Sequence, residues 1–264
     1  MGTSDSKQSK DEHRAIVKEA WDKYHKDYMG FHLKEWPDFH DHFSRGGVML
    51  EDYQMEMLGD VKGLKLLDIC CACDAKQAFS WANLGAEVTA CDISPVAIDI
   101  ARQNAKKIGL DVAFHVADAQ TLTPISDSSF DIVFATYICW MEDIFQACQT
   151  WYRVLKPDGR LLMVSANPVT YCLEERNGSL AVEHSYHSDE PIRYDFAGTP
   201  LADRHGGWDK SVPVMEFHHR LSDILNAIAE AGFRLERTLE TKQDNDSIMG
   251  HLPGHIVILA RKES

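Results

Sequence analysis

Positive charge is what this sequence of 264 residues most lacks: 27 Lys and Arg stand against 41 Asp and Glu, a formal charge of -14. A nucleic-acid partner calls for a basic stripe that neutralises phosphates, and none runs through the chain. A small neutral or cationic ligand suits it better. No apolar run approaches the ~20 residues of a membrane span, and the N-terminus has no apolar core of the secretory kind, so the expected location is the cytoplasm. Cysteines number seven, which is odd, and Cys70, Cys71 and Cys73 crowd one turn. That is no disulfide framework, and it reads as reduced thiols in a reducing compartment. The run also lacks the two paired Cys-x-x-Cys motifs of exposed zinc loops, and buried thiols behave as small hydrophobes. No metal is expected there, nor at the isolated pairs His40/His42 and His184/His187.

With 44% hydrophobic and 26% charged residues, the composition is that of an ordinary globular protein with a sizeable core. Met1 to Ser6 fits the short pattern for N-myristoylation at Gly2. A pattern so short recurs by chance, and a single acyl chain anchors only marginally.

The organising stretch is Leu64 to Pro95, LKLLDICCACDAKQAFSWANLGAEVTACDISP. An apolar run ends in Asp68, a small-residue turn follows, then a helical segment over 77–84, and a second apolar run closes on Asp92. The acid falls about 20 residues beyond the turn, where dinucleotide-type folds place a ribose-binding carboxylate.

In chain order, residues 1–12 read as a flexible tail and 13–60 as an N-terminal helical lid. Within the lid, Ile16, Val17, Ala20, Trp21 and Tyr24 recur at helical spacing over 13–28. The dense patch of Phe31, His32, Trp36, Phe39, His40, His42 and Phe43 can pack over the domain rim or roof a ligand, since aromatic bodies with polar tips suit a pocket. A short helix is expected over 49–58. Residues 61–166 form the cofactor-binding half of a sheet, with a helix over 95–108, strands over 112–116, 130–135 and 160–166, and a helix over 140–155. Alternating strands and helices argue a doubly wound α/β sheet. From 167 to 218 the alternation stops, a length that marks a functional insertion. Its aromatics, among them Tyr171, Tyr186, Tyr194, Phe196, Trp208 and Phe217, suggest short antiparallel strands folded as a flap. Residues 219–264 complete the sheet with a helix and two strands.

Five pieces in register, LLDICCAC, VTACDIS, VADAQTL, SFDIVFATY and RVLKPDGRLLMV, resemble the class I S-adenosylmethionine-dependent methyltransferases, in the small-molecule subgroup related to ubiquinone and menaquinone biosynthesis. The resemblance spans roughly 62–262 and implies a seven-stranded sheet, mostly parallel, with an antiparallel last strand. It implies S-adenosylmethionine as cofactor, with Asp68, Cys70, Cys71 and Ala72 in the turn, Asp92 and Ile93 at the ribose, Asp118 and Ala119 at the adenine, and Ala135 on the methionine side.

Glycine is missing from the turn itself. Where the family has acid-x-Gly-x-Gly-x-Gly, this chain reads Asp68-Ile69-Cys70-Cys71-Ala72-Cys73-Asp74. Glycine serves there because positive φ and close backbone approach are free without a Cβ. A slightly wider turn would accept Cys70 and Ala72, whereas Asp74 adds a carboxylate that a sulfonium tolerates better than a pyrophosphate would. Asp158 replaces a glycine in the later turn, where Asp tolerates a left-handed backbone, and Asn167 stands where the subgroup often has a histidine before proline.

Methyl transfer from a sulfonium needs proximity, alignment and, for some acceptors, a base. Histidine fits that base best. The resemblance maps His219, of the His218-His219 pair, onto a family histidine, and Tyr186 onto an aromatic position; the competing readings are a structural histidine opening a helix and a flap packing its own aromatics. Trp140 is either a wall for the sulfonium or a core residue. The expected activity is methyl transfer to an O, N or C atom of a small metabolite. The altered turn motivates two alternatives, a repurposed lyase or pericyclic catalyst and a catalytically silent partner subunit.

Overall fold

The computed structural model describes residues 2–199, 211–243 and 247–263; Trp208 lies outside them. The chain opens with α1 (Gly2–Glu35), α2 (Phe39–Ser44) and α3 (Asp52–Leu58), followed by β1 (Lys65–Ile69), α4 (Lys76–Asn83), β2 (Glu87–Asp92), α5 (Pro95–Ile108) and β3 (Ala113–Val116). Next come β4 (Phe130–Thr136), α6 (Ile144–Val154) and β5 (Leu155–Ala166), then β6 (Leu173–Arg176), β7 (Ser179–Val182), β8 (Ile192–Asp195) and β9 (Pro213–Glu216). The helix α7 (Leu221–Glu230) and the strands β10 (Phe233–Lys242) and β11 (Pro253–Lys262) end it.

Seven strands form one sheet in the order β3-β2-β1-β4-β5-β11-β10. The pairs β1–β2, β2–β3 and β4–β5 are parallel, and the last strand, β11, runs antiparallel to both β5 and β10. This is the expected doubly wound α/β class. Leu66, Leu67, Asp68 and Ile69 of β1 are all buried, the unbroken burial of a parallel strand covered on both faces.

The chain divides into two compact units, Met1–Ala119 with Ile192–Glu216, and Gln120–Pro191 with Phe217–Ser264. In the first, α5 shows how local chemistry sets an element. Ser94 caps it by accepting the Ala97 N–H at 3.1 Å, Pro95 occupies its first turn, and Gly109 ends it at φ +83°. That left-handed stop is nearly free for glycine. The helix buries Ala97, Ile98, Ala101, Ala105 and Ile108. In the second unit, α6 buries Ile144, Ala147, Cys148, Trp151 and Val154, and Asp143 caps it by accepting the Gln146 N–H at 2.9 Å.

Several boundaries differ from the sequence reading. Helix α1 starts at Gly2 rather than His13, because nothing in the polar stretch ahead of it breaks a helix. The helix expected from Met49 begins at Asp52, where Glu51 and Gln54 form a capping box. The helix expected over 140–155 splits into a 3₁₀ turn, Ile138–Trp140, and α6. The insertion makes two antiparallel pairs, β6–β7 and β8–β9, which fall in different units. Phe39 and Phe43 are fully buried and meet Phe79 edge-on, so this part of the aromatic patch packs on α4 rather than roofing a ligand.

Candidate functional site

In the first unit the turn after β1 keeps the backbone of a glycine turn without glycine. Cys70 and Ala72 hold φ of +61° and +57°, and the third left-handed residue is Ala75 at +44°. Asp74, the residue at the last of the three expected glycine positions, is not among them. Such conformations cost about 1–2 kcal/mol each for a residue with a Cβ and persist only where the surroundings impose them. Here the Cys71 N–H donates to the Cys91 carbonyl at 3.0 Å, the Ala72 N–H to Asp92 Oδ2 at 3.1 Å, and Asn104 Nδ2 to the Cys73 carbonyl at 3.0 Å. His40 Nε2 donates in turn to Asn104 Oδ1 at 2.9 Å.

Carboxylates crowd this turn. Asp92 is 7% exposed, its Oδ1 accepts the Ser94 N–H at 2.9 Å, and burial pushes its pKa up to about 6 despite those amide bonds. Asp68 is fully buried; burial first, then Asp74 and Asp92, raise its pKa well above the carboxylate range, and the Ala78 amide offsets only part of this. Among the described residues, neither Asp68 oxygen has a hydrogen-bond partner of normal geometry. Asp74 is buried, accepts from Tyr28 at 3.3 Å and lies 3.8 Å from Lys76 Nζ. Asp118, beyond β3, pairs with Arg14 at 3.0 Å. Ile93 is half-buried and Ala119 buried. Cys71, Cys73 and Cys91 are buried thiols whose pKa values burial raises, so they pack as small neutral groups. A pyrophosphate would face repulsion from this set of acids. A nucleoside bearing a sulfonium and an amino group fits it.

The second unit holds its own small cavity of about 20 Å³, lined by Ile138, Cys139, Ser165, Ala166, Pro168, Tyr171, Phe217, His218 and His219. His219 contributes its ring, but its Nε2 sits 2.7 Å from the Met141 carbonyl. A carbonyl only accepts, so that nitrogen carries the proton, and burial holds the His219 pKa down. His218, beside it, is half-buried and bonds the Tyr186 backbone. Its ring stacks on Tyr171 with centroids 5.8 Å apart, meets Tyr186 edge-on at 5.3 Å, and approaches Cys172 Sγ at 3.7 Å. Burial, then His219, lowers its pKa. The Tyr186 hydroxyl accepts the Leu221 N–H at the start of α7 at 3.0 Å, a structural use of the atom expected to touch substrate. Asn167 is likewise built in: it donates to Glu240 at 2.7 Å and accepts the Val169 N–H at 3.1 Å. Ala135 is fully buried in β4, and Tyr137, just past it, is 49% exposed at φ +57°.

Sequence reasoning missed the part α1 plays. Arg14, Asp22 and Tyr28 reach Asp118, Ser94 and Asp74. The signal was present, since Asp22, His25 and Tyr28 recur at three-residue spacing on a helix judged by its apolar residues alone.

Residues 67–163 match a family model described as a methyltransferase domain. An uncharacterised methyltransferase of Bacillus subtilis, YbaJ, is 28% identical over 199 residues, 73% of this chain and 74% of that protein. A ubiquinone biosynthesis O-methyltransferase of Alkalilimnicola ehrlichii is 30% identical over 125 residues, which cover 46% of this chain and 49% of the relative, so the chain spans about half of that enzyme. Among solved structures, an S-adenosylmethionine-dependent methyltransferase from Mesorhizobium loti superposes with a TM-score of 0.59 at 20% identity, covering 79% of this chain and 95% of the other.

Proposed function

We propose that the chain is a class I S-adenosylmethionine-dependent methyltransferase, a reading supported by its match to a methyltransferase domain over residues 67–163, and that it methylates a small, planar metabolite bearing a hydroxyl or amino group. The observation that carries the reading is the left-handed turn at Cys70 and Ala72, held by Asp92. A turn kept in that conformation against its own side chains is kept for backbone approach to a ligand.

Asp68, Cys70, Cys71, Ala72, Asp92, Ile93, Asp118 and Ala119 would hold the cofactor in the first unit, with Ala135 serving the methionine side. Bound S-adenosylmethionine supplies an electrophilic methyl group on a cationic sulfur. The Asp92 carboxylate favours that cation electrostatically, because little water screens it. Asp92 accepts hydroxyl hydrogens on lone pairs that its two backbone amides leave available.

In the second unit, Tyr171 and His218 offer stacked rings for a planar acceptor. Neutral His218 takes the acceptor proton as general base, with Tyr186 fixing its ring edge-on. His219, bonded to the Met141 carbonyl, positions the segment and is not assigned the proton transfer. The protein acts in the cytoplasm on a free metabolite, without nucleic acid and without a membrane span; no helix among the described residues is long and apolar enough to cross a bilayer. The altered turn that motivated a lyase or pericyclic alternative holds left-handed φ at Cys70 and Ala72, where the resemblance expects glycine, which supports the cofactor-binding reading.

The test is a screen of small phenols, catechols and amines with a methyl-labelled donor. Label transferred to one class of acceptor, and lost by more than about a hundredfold in His218→Gln, supports the assignment. Label transfer that is unchanged in His218→Gln across pH removes the base.

A further inference from the structure

Helix α1 meets three strand tips in succession. Arg14 pairs with Asp118 beyond β3, Ser94 beyond β2 donates to Asp22 at 2.6 Å, and Tyr28 donates to Asp74 beyond β1. At a rise of ~1.5 Å per residue, these contacts spread over roughly 21 Å of helix. One face of α1 therefore crosses the carboxyl ends of β3, β2 and β1, where open α/β sheets bind their ligands. His25 is three residues from Asp22 and three from Tyr28, between the two anchors and on that face.

His25 is 1% exposed, and neither Nδ1 nor Nε2 has a hydrogen-bond partner among the described residues. Its ring neighbours among the described residues include Trp21, Tyr24 and Tyr28, all on α1 itself. Buried polar groups are nearly always bonded, so an imidazole with two unused nitrogens calls for a reason. Ser94, which anchors the helix beside His25, is also a backbone donor to Asp92.

We propose that His25 is a cofactor contact, hydrogen-bonding the ribose hydroxyls of S-adenosylmethionine from the α1 side while Asp92 holds them from the strand side. The proposal rests on the methyltransferase reading. Burial keeps the His25 pKa down to about 3, so at neutral pH the ring is uncharged and offers one donor and one acceptor. A vicinal diol, which both donates and accepts, matches that pair. A cation would not be matched by it, and the acids of the turn already serve that part of the ligand.

The experiment is calorimetric titration of S-adenosylhomocysteine into wild type, His25→Phe and His25→Gln, with melting temperatures recorded without ligand. His25→Phe keeps an aromatic ring and removes both nitrogens. It is expected to weaken binding at least about tenfold, the loss of one buried hydrogen bond or more, while the ligand-free melting temperature holds or rises. His25→Gln, which restores a donor and an acceptor, recovers part of the affinity. If His25→Phe is too unstable to titrate, His25→Leu carries the same comparison. Unchanged affinity with a lowered melting temperature makes His25 a structural residue and overturns the proposal. Wild type that fails to bind at millimolar ligand overturns the methyltransferase reading itself, a result distinct from the first.

Discussion

At the scale of single residues, the turn after β1 separates strain from charge. Replacing Cys70 or Ala72 by Gly relieves a left-handed backbone worth about 1–2 kcal/mol and gives back part of it through the freer unfolded chain. Each change should stabilise the fold by about 0.5–1 kcal/mol in urea denaturation. Asp74→Gly should not, since its φ is not left-handed and the change removes a Tyr28 hydrogen bond. His25 makes a second residue-level prediction. Its folded pKa, about 3 against 6.5 unfolded, means that the unfolded chain binds the extra proton below pH 6.5, so His25 costs stability as pH falls. Relative to wild type, His25→Phe should gain about 2 kcal/mol between pH 7 and pH 5, seen as the difference between two denaturation series. Asp92 works in the opposite sense: its folded pKa is raised to about 6, so its contribution to stability grows as pH falls from 6 toward 4. Cofactor affinity that depends on ionised Asp92 should instead rise as pH climbs from 5 to 7.

At the scale of elements, α5 shows what was legible in the sequence and α1 what was not. Ser94, Pro95 and Gly109 mark the ends of α5 by cap chemistry that acts within a few residues, so its bounds could be read directly. Ser94→Ala should cost about 1–2 kcal/mol, because the cap and the bond to Asp22 go together; equilibrium unfolding measures it, and a loss below a few tenths would deny the cap its role. The strand tips Asp68, Asp92 and Asp118 were readable for the same local reason. The individual contacts of α1 were not, because Arg14, Asp22 and Tyr28 reach Asp118, Ser94 and Asp74, 46 or more residues distant in sequence. The split of the insertion into two strand pairs was equally hidden, as no residue in it announces which pairing it joins. His219 read as a base by position; its Nε2 donates to the Met141 carbonyl, which belongs to a different segment.

At the scale of the whole molecule, an acidic chain, a seven-stranded sheet with an antiparallel last strand and a turn with left-handed φ at Cys70 and Ala72 come together. The formal charge of -14 suits a cationic cofactor more than a phosphorylated one. The most direct measurement is isothermal titration of S-adenosylhomocysteine into wild type and Asp92→Asn at pH 7. Saturable binding by wild type, weakened more than about tenfold in a folded Asp92→Asn, is the predicted result. Absence of binding by wild type at millimolar ligand, or equal affinity in the two proteins, contradicts it.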